Sequence, residues 1–375
     1  MKILFTGGGT GGHVFPIIAI SREIKRMNLA RGDLQLLYSG PKNSFDEILF
    51  SQEGIKVRSI FAGKLRRYLT PSSTIQNFID IIIKFPLGIL QAFVHVFFLA
   101  PDLIFSKGGY GSLPIVLAGW ILGTPIFLHE SDISPGLANR IAGKFSLVVF
   151  TSFPKTEYFP IKKIILVGNP TRREIAGGSE EEAKRLFQLI GGKPVILFFG
   201  GSQGARRIND LILAILPNLL EGFEIIHQTG EQNLKQVLAE AKVVAQKEKL
   251  RYYHAFPFLK ENALINAYQI ADLIVSRAGS GSIFEIAVSG KPSILVPLPR
   301  AAQNHQVKNA YFYARTGACV VFEEANLTSH FFMGRLRHLF SHPRELEKMG
   351  NQAKKFAKPE AAKVVAQYIN SYLFG

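Results

Sequence analysis

At 375 residues the chain is long enough for two or three domains, each able to bury its own core. Lys plus Arg outnumber Asp plus Glu by 44 to 28, a formal net charge of +16, which points to anionic partners: phosphorylated substrates, an anionic lipid surface or nucleic acid. The basic residues are scattered without a nucleic-acid motif, which argues against nucleic acid. A single cysteine excludes an intramolecular disulfide, and a strand beginning at Lys2 leaves no room for a signal peptide, so a cytoplasmic chain is expected.

The first element is the apolar run Ile3-Leu4-Phe5, which passes into Thr6-Gly7-Gly8-Gly9-Thr10-Gly11-Gly12-His13 and then a helical pattern. A turn nearly free of side chains lets backbone N–H groups approach a ligand, and the helix behind it adds its positive dipole end, so a diphosphate is the natural guest. The alternative is a tight turn that only packs helix on strand. The spacing does not fit the dinucleotide fingerprint. His13 is the leading candidate for a general base because an ordinary imidazole titrates near neutrality; capping the turn or orienting a phosphate is its other reading.

Apolar runs at Leu34–Leu37, Leu103–Phe105, Ile126–Leu128 and Leu147–Phe150 alternate with helical stretches, the signature of a parallel α/β sheet. Among them lies the most hydrophobic segment, Phe78 to Leu99, preceded by the basic Lys64, Arg66 and Arg67. Asp80, Lys84 and Pro86 interrupt it, so a helix resting on a bilayer surface is expected rather than a spanning one, with an ordinary core helix as the competitor. The triplet Gly168-Asn169-Pro170 marks a domain boundary ahead of the helix-starting Ser179-Glu180-Glu181-Glu182.

The pattern then repeats. Val195–Phe199 runs into Gly200-Gly201-Ser202-Gln203-Gly204-Ala205 and an apolar-faced helix, and strand-like runs return at Glu224–Ile226, Leu273–Val275, Ser293–Val296 and Ala318–Phe322. Ser280-Gly281-Ser282-Ile283-Phe284-Glu285 starts a short helix whose N–H groups can cap a diphosphate, and Glu285 can accept from two vicinal ribose hydroxyls. Cys319, inside an apolar run, reads as a buried structural thiol. No cluster has metal-ligand spacing, so neither a tightly bound catalytic metal nor another cofactor is expected.

Six segments occur here in one family's order: Gly8 to Pro16; Gly108-Gly109-Tyr110; His129-Glu130-Ser131-Asp132 with Pro135 to Asn139; Gly168 to Arg172; Gly200 to Ala205; and Ser276-Arg277-Ala278-Gly279 with Glu285. The chain resembles the MurG family of bacterial glycosyltransferases, glycosyltransferase family 28, over nearly its whole length. The resemblance implies a GT-B fold: two Rossmann-like, doubly wound parallel-sheet domains separated by a cleft. Residues 1–168 would form the acceptor and membrane domain, with a helix at about 360–375 packing back on it, and 169–358 the UDP-GlcNAc domain.

It also implies inverting transfer of N-acetylglucosamine from UDP-GlcNAc to the C4 hydroxyl of lipid I, giving β-1,4-linked lipid II at the cytoplasmic face of the plasma membrane. Donor contacts would fall on Thr10, Gly11, Gly12, Asp132, Arg172, Ser202, the backbone at Leu259, Ser280, Gly281, Ser282, Ile283, Phe284, Glu285 and Gln306. His305 stands where many relatives carry a second glutamine. Gly8, Gly9, His13 and Tyr110 would meet the acceptor, and Lys64, Arg66 and Arg67 the anionic membrane. Asp132, where many members carry Asn, is the second candidate base, while His129 and Glu130 are equally readable as structural supports. The rival readings are a diacylglycerol-type lipid glycosyltransferase, a UDP-GlcNAc 2-epimerase and a non-catalytic nucleotide-sugar binder.

Overall fold

The structure, a computed structural model, describes residues 1–8, 11–28, 34–63, 66, 70–154, 158–201, 204–299 and 301–374. The chain divides into two compact units, Met1–Arg172 with Glu360–Gly375, and Arg173–Pro359. The division falls at Arg172, a few residues beyond the Gly168-Asn169-Pro170 turn read as the boundary, so Asn169 to Arg172 belong to the first unit.

In the first unit, β1 (Lys2–Thr6), β2 (Gln35–Gly40), β3 (Lys56–Ser59), β4 (Leu103–Ser106), β5 (Ile126–Glu130), β6 (Val148–Thr151) and β7 (Ile164–Leu166) form one parallel sheet in the order β3-β2-β1-β4-β5-β6-β7. Helices cover both faces, so the central strands are apolar at nearly every position. Ile3, Phe5, Phe105 and Phe127 point into one core, and Leu4, Ile104, Ile126 and Leu128 into the other. The helix Gly11–Met27 and the final helix Ala361–Phe374 share the first of these cores through Ile17, Ile20, Val365, Ala366 and Ile369. Tyr372 and Tyr368 set their rings edge-on to Phe127 (5.2 Å) and Phe150 (5.6 Å).

The second unit repeats the plan with β8 (Val195–Phe199), β9 (Glu224–Gln228), β10 (Tyr253–Phe256), β11 (Leu273–Ser276), β12 (Ser293–Leu295) and β13 (Cys319–Val321), in the order β10-β9-β8-β11-β12-β13. In each sheet the strand order reverses once, between β1 and β4 and between β8 and β11. Loops diverge at such a point, and the crevice outside the carboxyl ends of the strands receives ligands. The glycine-rich segments read from the sequence leave the sheets at these two places.

The apolar segment is not broken at Asp80, Lys84 or Pro86. It is helical from Pro71 to Leu99, with a capping box between Thr70 and Ser73 and a π-helical turn at Asp80–Lys84, one residue short of Pro86. A proline lacks the N–H for the ordinary i→i−4 bond and crowds the preceding turn, and the widened turn relieves both. By length and composition the helix could cross a membrane, and only 17% of its most apolar window is buried. One stripe, Gly88, Ala92 and Val96, packs onto the unit, while Ile82, Leu90, Phe97 and Phe98 stand exposed, Phe98 to 78%.

Candidate active site

At the first reversal, the ends of β1 and β4 are laced together: Lys107 N–H donates to Thr6 O (2.8 Å) and Gly8 N–H to Gly108 O (2.9 Å). His13, three residues into the following helix, lies against this seam. Gly109 sits at φ +84°, and a Cβ there would come within 3.0 Å of His13 Nε2, so only glycine lets the turn pass the imidazole. His13 is partly exposed, but protein encloses it closely enough that desolvation, followed by the field of Lys107, lowers its pKa to about 3. The expectation that it titrates near neutrality is therefore corrected: burial favours the neutral imidazole across the physiological range and makes it a weaker base than an ordinary histidine.

Beneath this seam is a polar network that sequence reading missed. Lys107, 1% exposed, donates from Nζ to His129 Nδ1 (3.0 Å) and to Ser131 Oγ. With Nδ1 accepting, His129 Nε2–H donates to Gly168 O (3.0 Å), which fixes a neutral tautomer; burial, then Lys107, holds its pKa well below the usual value. Ser131 Oγ–H donates a hydrogen bond to Asn169 Oδ1 (3.3 Å), tying the Gly168–Asn169 turn to the end of β5. Glu130 accepts from Asp132 N–H (2.8 Å) and Asn139 Nδ2 (2.7 Å), and Asn139 Oδ1 accepts from Gly109 N–H (3.0 Å). Burial pushes the Glu130 carboxyl up, reinforced by Asp132, and pushes the Lys107 ammonium down. His129 and Glu130 are thus structural supports, while Asp132 remains half-exposed at the rim.

Arg172 is buried with its guanidinium 4.4 Å from the centre of the Phe15 ring, so it accompanies the N-terminal glycine turn instead of lying in the second unit. Tyr110 is half-buried, its phenol pushed up by burial and then by the fields of Asp46 and Asp80. Arg66 is not a loose basic residue. It and Lys84 hold the buried Asp80 carboxylate at 2.6 and 2.7 Å, and together they outweigh burial and lower its pKa. Gly9, Thr10, Lys64, Arg67 and Ser202 lie outside the described residues. Gly11 is buried and Gly12 exposed at the start of the helix.

At the second reversal, β11 ends at Ser276 and the helix Ser280–Ser289 begins behind Gly279 without a side-chain cap. The N–H groups of Ser280, Gly281 and Ser282 have no intrahelical acceptor, whereas Ile283 N–H already bonds Gly279 O (3.1 Å). The side chains of Ile283 and Phe284 lie in the core, with the Phe284 ring 5.1 Å from that of Phe356, so these two positions offer a ligand their backbone alone. Ser280 Oγ is buried with no hydrogen-bond partner, an orphaned hydroxyl at the point where a phosphate oxygen would accept. Glu285 is buried with Oε2 accepting from Tyr268 Oη (3.1 Å), which orients the carboxylate from behind.

Leu259 N–H, expected to be open to a ligand, is instead taken by Gln228 Oε1 (2.8 Å). Gln228, another residue the sequence did not flag, also donates to Gly201 O (2.7 Å) and couples the second glycine turn to this strand end. A Cβ on Gly204, at φ +74°, would strike Thr229 O at 2.2 Å, so that turn also demands glycine. Gln306 Oε1 accepts from Leu298 N–H (3.0 Å), which aims the amide. Three and two residues before it, Gln303 and Asn304 both adopt left-handed backbone (φ 54° and 55°), a strain that concentrates at binding sites. His305, half-buried, opens the helix that carries Gln306. Cys319 is buried, and burial pushes its thiol up, which suits a packing role. Among the described residues no group of three or more His, Cys, Asp or Glu side chains is placed to hold a metal ion.

Two parallel-sheet units, each with a glycine turn and a helix start at its switch point, are the frame of a nucleotide-binding enzyme, and family comparison narrows the class to glycosyltransferases. Residues 3–151 match the glycosyltransferase family 28 N-terminal domain and residues 195–365 the glycosyltransferase family 28 C-terminal domain. The chain belongs to glycosyltransferase family 28. It is 35% identical to a UDP-N-acetylglucosamine–N-acetylmuramyl-(pentapeptide) pyrophosphoryl-undecaprenol N-acetylglucosamine transferase of Bacillus cereus, over 98% of this chain and 99% of the relative. To the Clostridium tetani transferase of the same name it is 35% identical over 90% of each. A crystal structure of MurG from Acinetobacter baumannii superposes with a TM-score of 0.72 at 24% identity, covering 99% of each chain. A UDP-GlcNAc 2-epimerase from Neisseria meningitidis bound to UDP-GlcNAc gives 0.68 at 14% identity, covering 99% of this chain and 100% of that one. At these identities the two structures speak for the shared GT-B-type fold alone.

Proposed function

We propose that the chain transfers N-acetylglucosamine from UDP-GlcNAc to the C4 hydroxyl of the MurNAc sugar of lipid I, with inversion, making the β-1,4-linked lipid II precursor of peptidoglycan. The observation that carries this reading is the 35% identity, along essentially the whole length of both chains, to enzymes named for that acceptor. The acceptor oxygen bonds to the anomeric carbon as the bond from that carbon to the diphosphate breaks. UDP leaves with the electron pair, and the hydroxyl proton goes to a base. His13, held neutral, is that base, with Asp132 as the alternative. On the donor side the open N–H groups of Ser280, Gly281 and Ser282 stabilise the leaving diphosphate, Glu285 takes the ribose hydroxyls and the Gln306 amide the sugar.

The long helix Pro71–Leu99 supports a second part of the proposal, peripheral attachment to the cytoplasmic face of the plasma membrane. Its exposed apolar face provides the hydrophobic part, and the net charge of +16 provides attraction to anionic lipid. Arg66 and Lys84 contribute less than their number implies, because two cations against the one Asp80 carboxylate leave a single net positive charge. A product that feeds wall synthesis would tie the enzyme to cell shape and division.

Incubation with UDP-GlcNAc and a lipid I analogue, followed by mass spectrometry, tests the reading. The expected product is the acceptor plus one N-acetylhexosamine. Conversion of UDP-GlcNAc alone to its 2-epimer would identify an epimerase instead, and transfer to diacylglycerol a different lipid acceptor.

A further inference from the structure

Gln228 is the last residue of β9, between β8 and β10, and it is fully buried. A buried amide is costly unless its polar atoms are paired, and here both are. Nε2 donates to Gly201 O (2.7 Å), in the turn after β8, and Oε1 accepts from Leu259 N–H (2.8 Å), in the segment after β10. One partner can only accept and the other only donate, so the orientation of the amide is forced. Gly201 O also accepts from Gly204 N–H (3.0 Å), which makes it the pivot of the glycine turn. A Cβ on Gly201, at φ +81°, would meet nothing within 4 Å among the described residues. The start of the turn therefore stands clear of packing and is held by hydrogen bonds, and Gln228 supplies one from outside the turn.

We propose that Gln228 is a positioning residue for the nucleoside diphosphate of the donor: its amide fixes the spacing between the turn after β8 and the segment after β10, so that the two strand ends meet the ligand as one preformed surface. The inference rests on the proposed donor site for the identity of the ligand. β8 borders β11, whose loop leads into the open N–H groups of Ser280, Gly281 and Ser282, so the turn that Gln228 holds is the other lip of the same crevice. A surface already in place spares the ligand the entropy of ordering two loops. Phe199 and Phe256, the β8 and β10 partners of Gln228, share its face of the sheet, with Tyr268 against the first (6.3 Å) and Phe187 against the second (5.3 Å). The ionisable groups on the flanking elements are Tyr268 with Glu285 bonded behind it, and Lys260 and Glu261 just after Leu259. His227 lies on the opposite face of β9 between Asn209 and Tyr253, held neutral by burial. Both Gln228 bonds go to backbone, so the role belongs to the amide itself.

The test is calorimetry of UDP binding to the full-length protein carrying Gln228→Glu. When protonated, the new side chain reproduces the pattern of the amide, with an O–H for Gly201 O and an acceptor for Leu259 N–H; when ionised, it sets a carboxylate against the Gly201 carbonyl. Burial and that carbonyl push its pKa up, so its protonation is read between about pH 5 and 8. Affinity is taken relative to the wild type at the same pH, which cancels the titration of UDP and of the flanking groups. The variant should match the wild type at the acidic end and fall about tenfold below it toward the alkaline end. Gln228→Met, similar in length and without either bond, should bind UDP about tenfold more weakly at every pH. If Gln228→Glu unfolds at the alkaline end, the acidic-end contrast between the two variants decides. Wild-type affinity in Gln228→Met overturns the proposal, and so does an equal loss in both folded variants at the acidic end, where a merely structural role would put it. A wild type that itself ignores UDP would sink the donor site and this role together, whereas a wild type that binds UDP beside an indifferent Gln228→Met overturns the role of Gln228 alone.

Discussion

The two parallel-sheet units have the same winding and the same glycine turn at the same topological place, yet they furnish it with opposite chemistry. Around the first switch point the side chains are ionisable ones: Lys107, His129 and Glu130 buried beneath, His13 and Asp132 partly exposed above. Around the second, among the described residues, hydroxyls and amides dominate: Ser276, Ser280, Gln228 and Asn309 are buried, beside the ionisable His227 and Glu285. A neutral lattice of donors suits a ligand that must be held in register, whereas a field of buried charge suits a site that must govern a proton. The backbone frame is therefore common property, and the residues set into the strand ends assign the roles.

The sharpest way to break this contrast is at His13. His13→Ala should lower kcat by about 10²- to 10⁴-fold with UDP affinity intact, and Asp132→Asn should be mild. Steady-state kinetics and calorimetry check both, and the reverse ranking would move the base to Asp132. Next in size is Glu285→Ala on the other unit. Losing charge-assisted hydrogen bonds worth about 1.5 to 3 kcal/mol should weaken UDP binding about ten- to a hundredfold, without altering the pH profile. Unchanged affinity in a folded variant would remove the ribose assignment.

The contrast also explains what the sequence disclosed. Strands buried on both faces, such as Leu103–Ser106 and Leu273–Ser276, appear as uninterrupted apolar runs and were read nearly to their ends. The strands missed were β3, β7 and β10, all at sheet edges. Lys56-Val57-Arg58-Ser59 is mostly exposed, and its charges, which protect an edge from pairing, erase the apolar signal. In the site, glycine turns were legible because no other residue fits them. Lys107 was not, since a lysine after an apolar run looks like any strand-ending surface residue until the β5 end closes over it. Likewise Ile283 and Phe284 shared a motif with true helix-start donors, and only helical geometry separates free N–H groups from committed ones.

A smaller effect is expected on the outer face of the first unit, whose long apolar helix has no counterpart among the described residues of the second. Replacing the exposed Phe97 and Phe98 by Ser should weaken flotation with anionic vesicles about tenfold, while activity on a short-chain soluble acceptor survives. Arg66 is a poor probe of the same surface because its removal leaves the buried Asp80 with Lys84 as its remaining ion-pair partner. Equal flotation of the double variant and the wild type would show that the helix does not touch lipid.

The smallest expected effect concerns a charge that the first unit tolerates without a visible hydrogen bond. Asp46 is buried with neither carboxylate oxygen hydrogen-bonded, and burial, then the field of Glu47, raises its pKa from 3.8 to about 6. A carboxyl whose folded pKa lies above its unfolded one binds its proton more tightly when folded. Its ionisation therefore costs stability: nothing below about pH 3.8, a growing amount through the window up to about 6, and the full amount above. Asp46→Asn keeps the shape and removes that cost. Its melting temperature should exceed the wild type's by about 2–4 °C above pH 6, with the gap closing as the pH falls through the window. A gap independent of pH would mean that Asp46 does not ionise in the folded chain, and a gap of opposite sign that its carboxylate is paired and stabilising in solution.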